Sequence, residues 1–587
     1  MKKPLKATAL LIAAAILLAV PPATSASAFT PSVNTMKIGL FYGSSALQSA
    51  NLQNVTGYGS GYDFGYFDDS RNFIPVGAYT DTVKISVIRD RNMRFDGNGY
   101  VEGTSGDAVV GCFHIRLDAP YQSYADASAA AYGYAGSFVK YAGGVFYVCV
   151  GEYISASAAG DDMAARGIYG ATIDSGTTYT VTVVETGTDR IIFEFDGGAA
   201  FWLGVMPRPS GGTKPQTWFK GYRYNGGFQY ARRDGGDITV VNFVNIEDYT
   251  RGVVPYEMPN TWPLEALKAQ ALCARTFAIS HLNAHSSSGF DLCTTEHCQV
   301  YNGQGSVNEA TDAAVDQTSG QYVTYNGQLC ETFFSSSNGG ASENSENVWS
   351  AALPYLRGVL DPYEADVASR ISNYNWTVTY TPDQITQRLR GRGYSCGRIV
   401  GMAVTRYTEL GNAREVTLLD DAGRTWRFTN GDNIRSALGA RSIRFVVGDT
   451  AAPTPSGTAA SGGIYVNGQD DTLSGPPSSY YAVGGDGVAS QVASPNGLYA
   501  ITGSKEVLPV TDGSNGGSGG GAAAGAPGAV SSVSSGSGLA NGVFTIRGTG
   551  TGHNVGMSQW GAHSMAQYHN MTYDQIINFY FTGVTIG

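Results

Sequence analysis

The stretch from Trp262 to His285, WPLEALKAQALCARTFAISHLNAH, constrains this chain most. Leu264, Leu267, Ala271, Ala274 and Ala278 recur at helical spacing, and Ala266, Gln270, Cys273 and Phe277 make a second, mostly apolar stripe. Pro263 falls in the first turn, where its missing N–H costs nothing. A helix apolar on nearly every side belongs in an interior. Its polar residues Lys268, Gln270 and Arg275 then need partners or a cleft. Just before it, ITVVNFVNIEDYTRGVVPYEM reads as a strand leading into a turn. The fold must therefore enclose one helix that carries polar groups inward.

One core cannot absorb 587 residues, and about three domains are expected. Lys2, Lys3 and Lys6, the apolar run Ala7–Val20, Pro21-Pro22 and Ala26-Ser27-Ala28 read as an export leader over residues 1–28. The run is shorter than the roughly 20 residues of a membrane span. The expectation is a chain secreted to the cell wall, with no transmembrane anchor after cleavage near Phe29; an uncleaved anchor is the other reading. Residues 29–109 read as β-rich, with MKIGLFYG and TVKISVIRD as strands. A strand, a Tyr-Ser turn and a small-residue helix then occur twice, in FHIRLDAPYQSYADASAAAYGYAG and GVFYVCVGEYISASAAGDDMAARG. Residues 450–540 are rich in Gly, Ser, Ala and Pro, and include a stretch with the composition of a flexible linker. They read as an insertion in a loop between strands near Ile443–Val447 and Val543–Arg547, which costs little.

The net charge of −11 argues against nucleic acid as a partner and against recruitment by an anionic surface. Charged residues are only 14% of the chain, against 36 Tyr, whose flat rings and hydroxyls suit sugar contact although most of them should be ordinary strand residues. Seven cysteines, an odd count, leave at least one unpaired or metal-bound in an exported chain. Cys293, His297 and Cys298 lie close together, with His285 and His281 upstream. Two thiolates and two imidazoles suit structural zinc, with His285 the preferred fourth ligand; a Cys293–Cys298 disulfide is the alternative. Cys112 and Cys149, on successive strands, are candidates to pair, and Cys273 reads as helix core.

The blocks IEDYTRGVVPYEMPNTWPLEALKAQALCARTFA, CTTEHCQVYNGQ, FFSSSNGGASE, LPYLRGVLDPYE and GTGTGHNVGMSQWGAHSMAQ resemble, in order, those of the SpoIID/LytB family. The repeated strand–helix pattern resembles the SPOR (sporulation-related repeat) module. Together these imply an α+β fold: a mixed, β-rich SpoIID-type catalytic domain with a buried helix (218–449 and 541–587), preceded by a small SPOR-like αβ module that binds glycan (110–200).

The resemblance implies a lytic transglycosylase that cuts peptidoglycan glycan strands between muramic acid and glucosamine during sporulation or wall remodelling. It acts on strands stripped of peptide and leaves 1,6-anhydro ends. Glu257 takes the catalytic role on this reading. Apolar neighbours would raise its carboxyl pKa and keep it a general acid. Lys268, Arg275, Ser337, Asn338, His553, Gln559 and Trp560 are the candidate sugar contacts; Arg275 and Lys268 in buried ion pairs, with Glu265 a candidate partner, and His553 and Trp560 as core residues are the competing readings. Where relatives read Gly-His-Gly, this chain has Gly552-His553-Asn554, and asparagine tolerates the positive φ such a turn needs. A non-catalytic glycan-binding protein, or an amidase enhancer of the LytB type with a cell-wall amidase as partner, is the alternative function. A zinc hydrolase lacks any HExxH spacing.

Overall fold

The computed structural model describes residues 29–448 and 532–587, except 234, with the backbone of four short strands between 480 and 509. The expected leader, and most of the expected insertion, lie outside the described residues.

The N-terminal half is two sheets packed face to face. A seven-stranded sheet pairs β1 (Thr35–Phe41) antiparallel with a strand two hundred residues later, Ile238–Asn245. The ten-stranded sheet includes β2 (Lys84–Arg89) and the expected strand–helix repeat. That repeat runs β3 (Phe113–Leu117), α1 (Tyr124–Ala131), β4 (Ser137–Ala142), β5 (Val145–Tyr153), α2 (Ala156–Ala165) and β6 (Ala171–Asp174). Ser123 and Ser155 cap the two helices, each hydroxyl accepting the N–H three residues on at 3.1 Å. The four strands lie in the order β6-β3-β5-β4, all neighbours antiparallel, which is a split βαβ arrangement.

This αβ unit is not free-standing. β4 pairs in parallel with β7 (Ile191–Asp196), and the sheet continues through Val181–Glu185 to β2. Residues 29–109 and 110–200 thus share one sheet. Phe64 of the first sheet stacks on Phe193 of the second at 5.3 Å, at the centre of the core between them.

After Ile238–Asn245 (β8) the chain turns directly into α3 (Ile246–Glu257), capped by Asn245, whose side chain accepts from the Glu247 N–H at 2.9 Å. Sequence reasoning reads this segment as a turn, because Gly252, Val253, Val254 and Pro255 are poor helix formers. Burial of Ile246, Tyr249, Val253 and Val254 overrides that propensity. Gly252 is required: a Cβ there would lie 2.5 Å from the Tyr301 ring.

α4 (Leu264–Ser280) is the expected buried helix, with 13 of its 17 residues in the interior, so its polar side chains cannot be treated as surface groups. It packs on α3 and on helices Glu309–Gln317, Gln559–His569 and Tyr573–Tyr580. A separate core lies around Ile399, Leu418, Phe445 and Ile546. In it β9 (Phe445–Val447) pairs with β10 (Val543–Thr549), so the chain leaves after one strand and returns on its neighbour.

Candidate functional site

Glu257 is the last residue of α3, and the chain becomes extended at Met258. Its carboxyl is half-buried and accepts one hydrogen bond from the Gln559 amide, Nε2 to Oε2 at 3.3 Å. The same amide donates to Oε1 of buried Gln270 on α4, also at 3.3 Å. A chain of polar side chains from three separated segments thus ends on the carboxylate. Burial raises the Glu257 pKa; the Gln559 amide and the Val300 backbone N–H pull it down, and the nearby Glu296 adds to the rise. The C-terminal end of a helix, partially negative, also disfavours a carboxylate. The group is suited to holding a proton and releasing it late.

The segment that brings Val300 to Glu257 also carries the Cys/His cluster. His285, Cys293, His297 and Cys298 place their donor atoms within 4.8 Å of one another. His285 Nε2 is 3.3 Å from Cys298 Sγ, and His297 Nδ1 is 3.5 Å from Cys298 Sγ and 3.8 Å from Cys293 Sγ. A hydrogen bond from Cys298 holds the Cys293 thiol well below its usual range and pushes Cys298 up, which makes one sulfur a ready thiolate. Two sulfurs and two imidazoles fit tetrahedral zinc in number and type. Cys293 and Cys298 are free, not a disulfide, and so are Cys112 and Cys149. Cys273 is buried in α4 as expected. His281 is outside the cluster: it stacks on Phe277 and faces Glu331.

Several expected sugar contacts are structural. Arg275 is wholly buried; its guanidinium grips Glu247 at 2.6 Å and donates to the Val315 carbonyl, so it offers nothing to a ligand. Lys268 bonds Glu265 at 2.6 Å and lies over the Tyr573 ring. Ser337 and Asn338 are also buried. They serve two interior carboxyls: Ser337 Oγ donates to Glu364 at 2.8 Å, and Asn338 Nδ2 donates to Asp361 at 2.8 Å. His553 is neutral and fixed, since Val555 N–H donates to Nδ1 and Nε2 donates to the Phe334 carbonyl; burial lowers its pKa to about 4. It packs on Trp349 and Phe333. Asn554 adopts the positive φ the turn requires, 63°.

Of the expected contacts, Gln559 is the one that hydrogen-bonds Glu257 among the described residues. Trp560, next to it, is half-buried and forms a cluster with Trp262 (4.7 Å) and His563 (5.5 Å), with Arg370 over its ring. Sequence reasoning marks Gln270 only as a buried polar residue in need of a partner, and assigns no role to Trp262, Val300 or the pair Asp361 and Glu364. The only signal for that pair is two carboxylates inside the mostly apolar block LPYLRGVLDPYE.

The family model described as "Stage II sporulation protein", SpoIID, matches residues 234–325, which span α3, α4 and the Cys/His cluster. An uncharacterized protein of Brachyspira hyodysenteriae (strain ATCC 49526 / WA1) is 46% identical over 121 residues, 20% of this chain and 33% of that protein. The "Amidase enhancer" of Bacillus subtilis (strain 168) is 29% identical over 57% of this chain and 40% of its own length. The "Stage II sporulation protein D" of the same strain is 33% identical over 33% of this chain and 63% of its own length. The chain thus spans between a third and just under two thirds of the relatives it matches. The SpoIID match falls on the helices that carry Glu257 and its surroundings, and over that part the chain is similar to the SpoIID/LytB family.

Proposed function

We propose that this protein works on the bacterial cell wall as a lytic transglycosylase, exported and acting on peptidoglycan glycan strands stripped of peptide. The observation that carries this reading is Glu257, half-buried, with its pKa raised and its carboxyl held by Gln559. One carboxyl suffices for this chemistry, whereas hydrolysis of a glycosidic bond ordinarily takes two. Protonated Glu257 donates its proton to the bridging oxygen as the bond to muramic C1 breaks. The resulting carboxylate takes the proton of the muramic 6-hydroxyl, whose oxygen closes onto C1. Glu257 ends protonated, the product carries a 1,6-anhydro ring, and no water is consumed.

Zinc in the Cys/His quartet would brace the segment that carries Val300 to Glu257, a structural duty. Trp560 and Trp262 offer faces for sugar stacking. The αβ unit 110–200, read as glycan-binding, presents Tyr132 and Tyr169 about nine-tenths exposed just after its two helices. A second reading, enhancement of a wall amidase, is favoured by the relative of that name matching 57% of this chain. Incubation with peptide-stripped strands, followed by analysis of chain ends, separates the two. New anhydromuramyl ends are expected; their absence, together with faster peptide release by a wall amidase on intact peptidoglycan, would support the second.

A further inference from the structure

Outside the family-matched region, three ionisable side chains meet inside the ten-stranded sheet. Asp90 follows β2, His114 lies on β3 and Glu194 on β7, and they are 2%, 1% and 0% exposed. One donor atom from each falls within 4.8 Å of the others. The arrangement has the marks of a coordination sphere. His114 Nδ1 lies 2.7 Å from the Gly151 carbonyl, which fixes the ring and turns Nε2 inward; an imidazole oriented this way by a carbonyl is the usual outer support of a metal ligand. Nε2 stands 3.2 Å from Glu194 Oε2 without hydrogen-bond geometry. That is close to the spacing, about 3.4 Å, of two ligands in a tetrahedral sphere with bonds of about 2.1 Å.

Asp90 has no other partner, and Glu194 is only partly satisfied. Lys140 approaches Glu194 Oε1 at 2.6 Å and also bonds Asp174, leaving Oε2 for the gap. Both oxygens of Asp90 are buried without a hydrogen-bond partner. Arg232, the other buried cation nearby, donates to the carbonyls of Thr177, Thr180, Gly235 and Gly236 rather than to Asp90. A buried carboxylate with no donor is costly, and a cation between the three groups removes that cost.

We propose that Asp90, His114 and Glu194 form a metal site that holds a divalent transition-metal ion through Nε2 of His114 and one oxygen of each carboxylate. One imidazole and two carboxylates suit zinc or manganese. The ion joins β2, β3 and β7, the first and last of them about a hundred residues apart in sequence, and so locks the αβ unit into its sheet.

The test uses the full-length protein. Metal is measured after dialysis in a Cys293→Ser/Cys298→Ser variant, which dismantles the sulfur site, and in that variant with Asp90→Asn added. The first should keep about one divalent ion per chain, and the second should lose it. A Cys293→Ser/Cys298→Ser protein without metal overturns the proposal, as does retention after Asp90→Asn. If the triple variant fails to fold, cobalt chloride titration of the metal-stripped wild type decides. Absorption without sulfur-to-cobalt charge transfer is expected for this site; saturation by sulfur-ligated cobalt alone overturns it.

Discussion

In the proposed reaction the chemistry at Glu257 depends on one proton, and its environment sets the pH range. Burial raises the pKa, so the acid form persists above the ordinary carboxyl range. Gln559 works the other way, because its amide favours the carboxylate. Gln559→Leu should therefore move the alkaline limb of the pH–rate profile to higher pH; a shift to lower pH would contradict this assignment. Glu364 is a second carboxyl with a predictable signature. Burial and the neighbouring Asp361 push its pKa up to about 7 from 4.5. Between those values the folded state holds a proton that the unfolded state has lost, so stability falls as pH rises across that window. Glu364→Gln should flatten that slope in thermal melts at pH 5 to about 7.5.

The helices explain which residues were legible in the sequence. α4 was readable as buried from its two apolar stripes, and the Cys/His quartet from ligand type and spacing. α3 was not, because tertiary burial overrides the poor propensity of Gly252 and Pro255. Arg275 was visible as a buried cation, but its partner Glu247 lies 28 positions away on α3, beyond the reach of helical periodicity. Ser337 and Asn338 read as candidate sugar contacts because nothing in SSSNGG announces the two carboxyls beneath them. Arg275→Ala should cost about 3 kcal/mol in urea unfolding, since it strands Glu247, while leaving the product pattern of the folded fraction unchanged. Cys298→Ser should lower zinc content and, through Val300, slow glycan cleavage; full metal content in that variant would remove the quartet from consideration.

Across the molecule, the region around Glu257 is assembled from the two ends of a long excursion. The main-chain pairing of β9 with β10 closes the chain on both sides of residues 449–531, and Gln559 reaches Glu257 only because that closure brings the C-terminal block back. Replacing 449–531 with a short Gly-Ser joint should leave the melting temperature nearly unchanged and preserve cleavage; unfolding of the shortened protein would show that the segment contributes to the core. The αβ unit is tied into the ten-stranded sheet by the pairing of β4 with β7, and that sheet packs on the one holding β1 and β8, so the unit is part of the same body rather than a detachable module. All of this arrangement converges on one carboxyl. The most direct measurement is mass spectrometry of products from peptide-stripped strands, wild type against Glu257→Gln, with both proteins shown to be folded. Anhydromuramyl ends should appear with the wild type and be absent with the variant. Equal amounts from both, or none from either, would contradict the account.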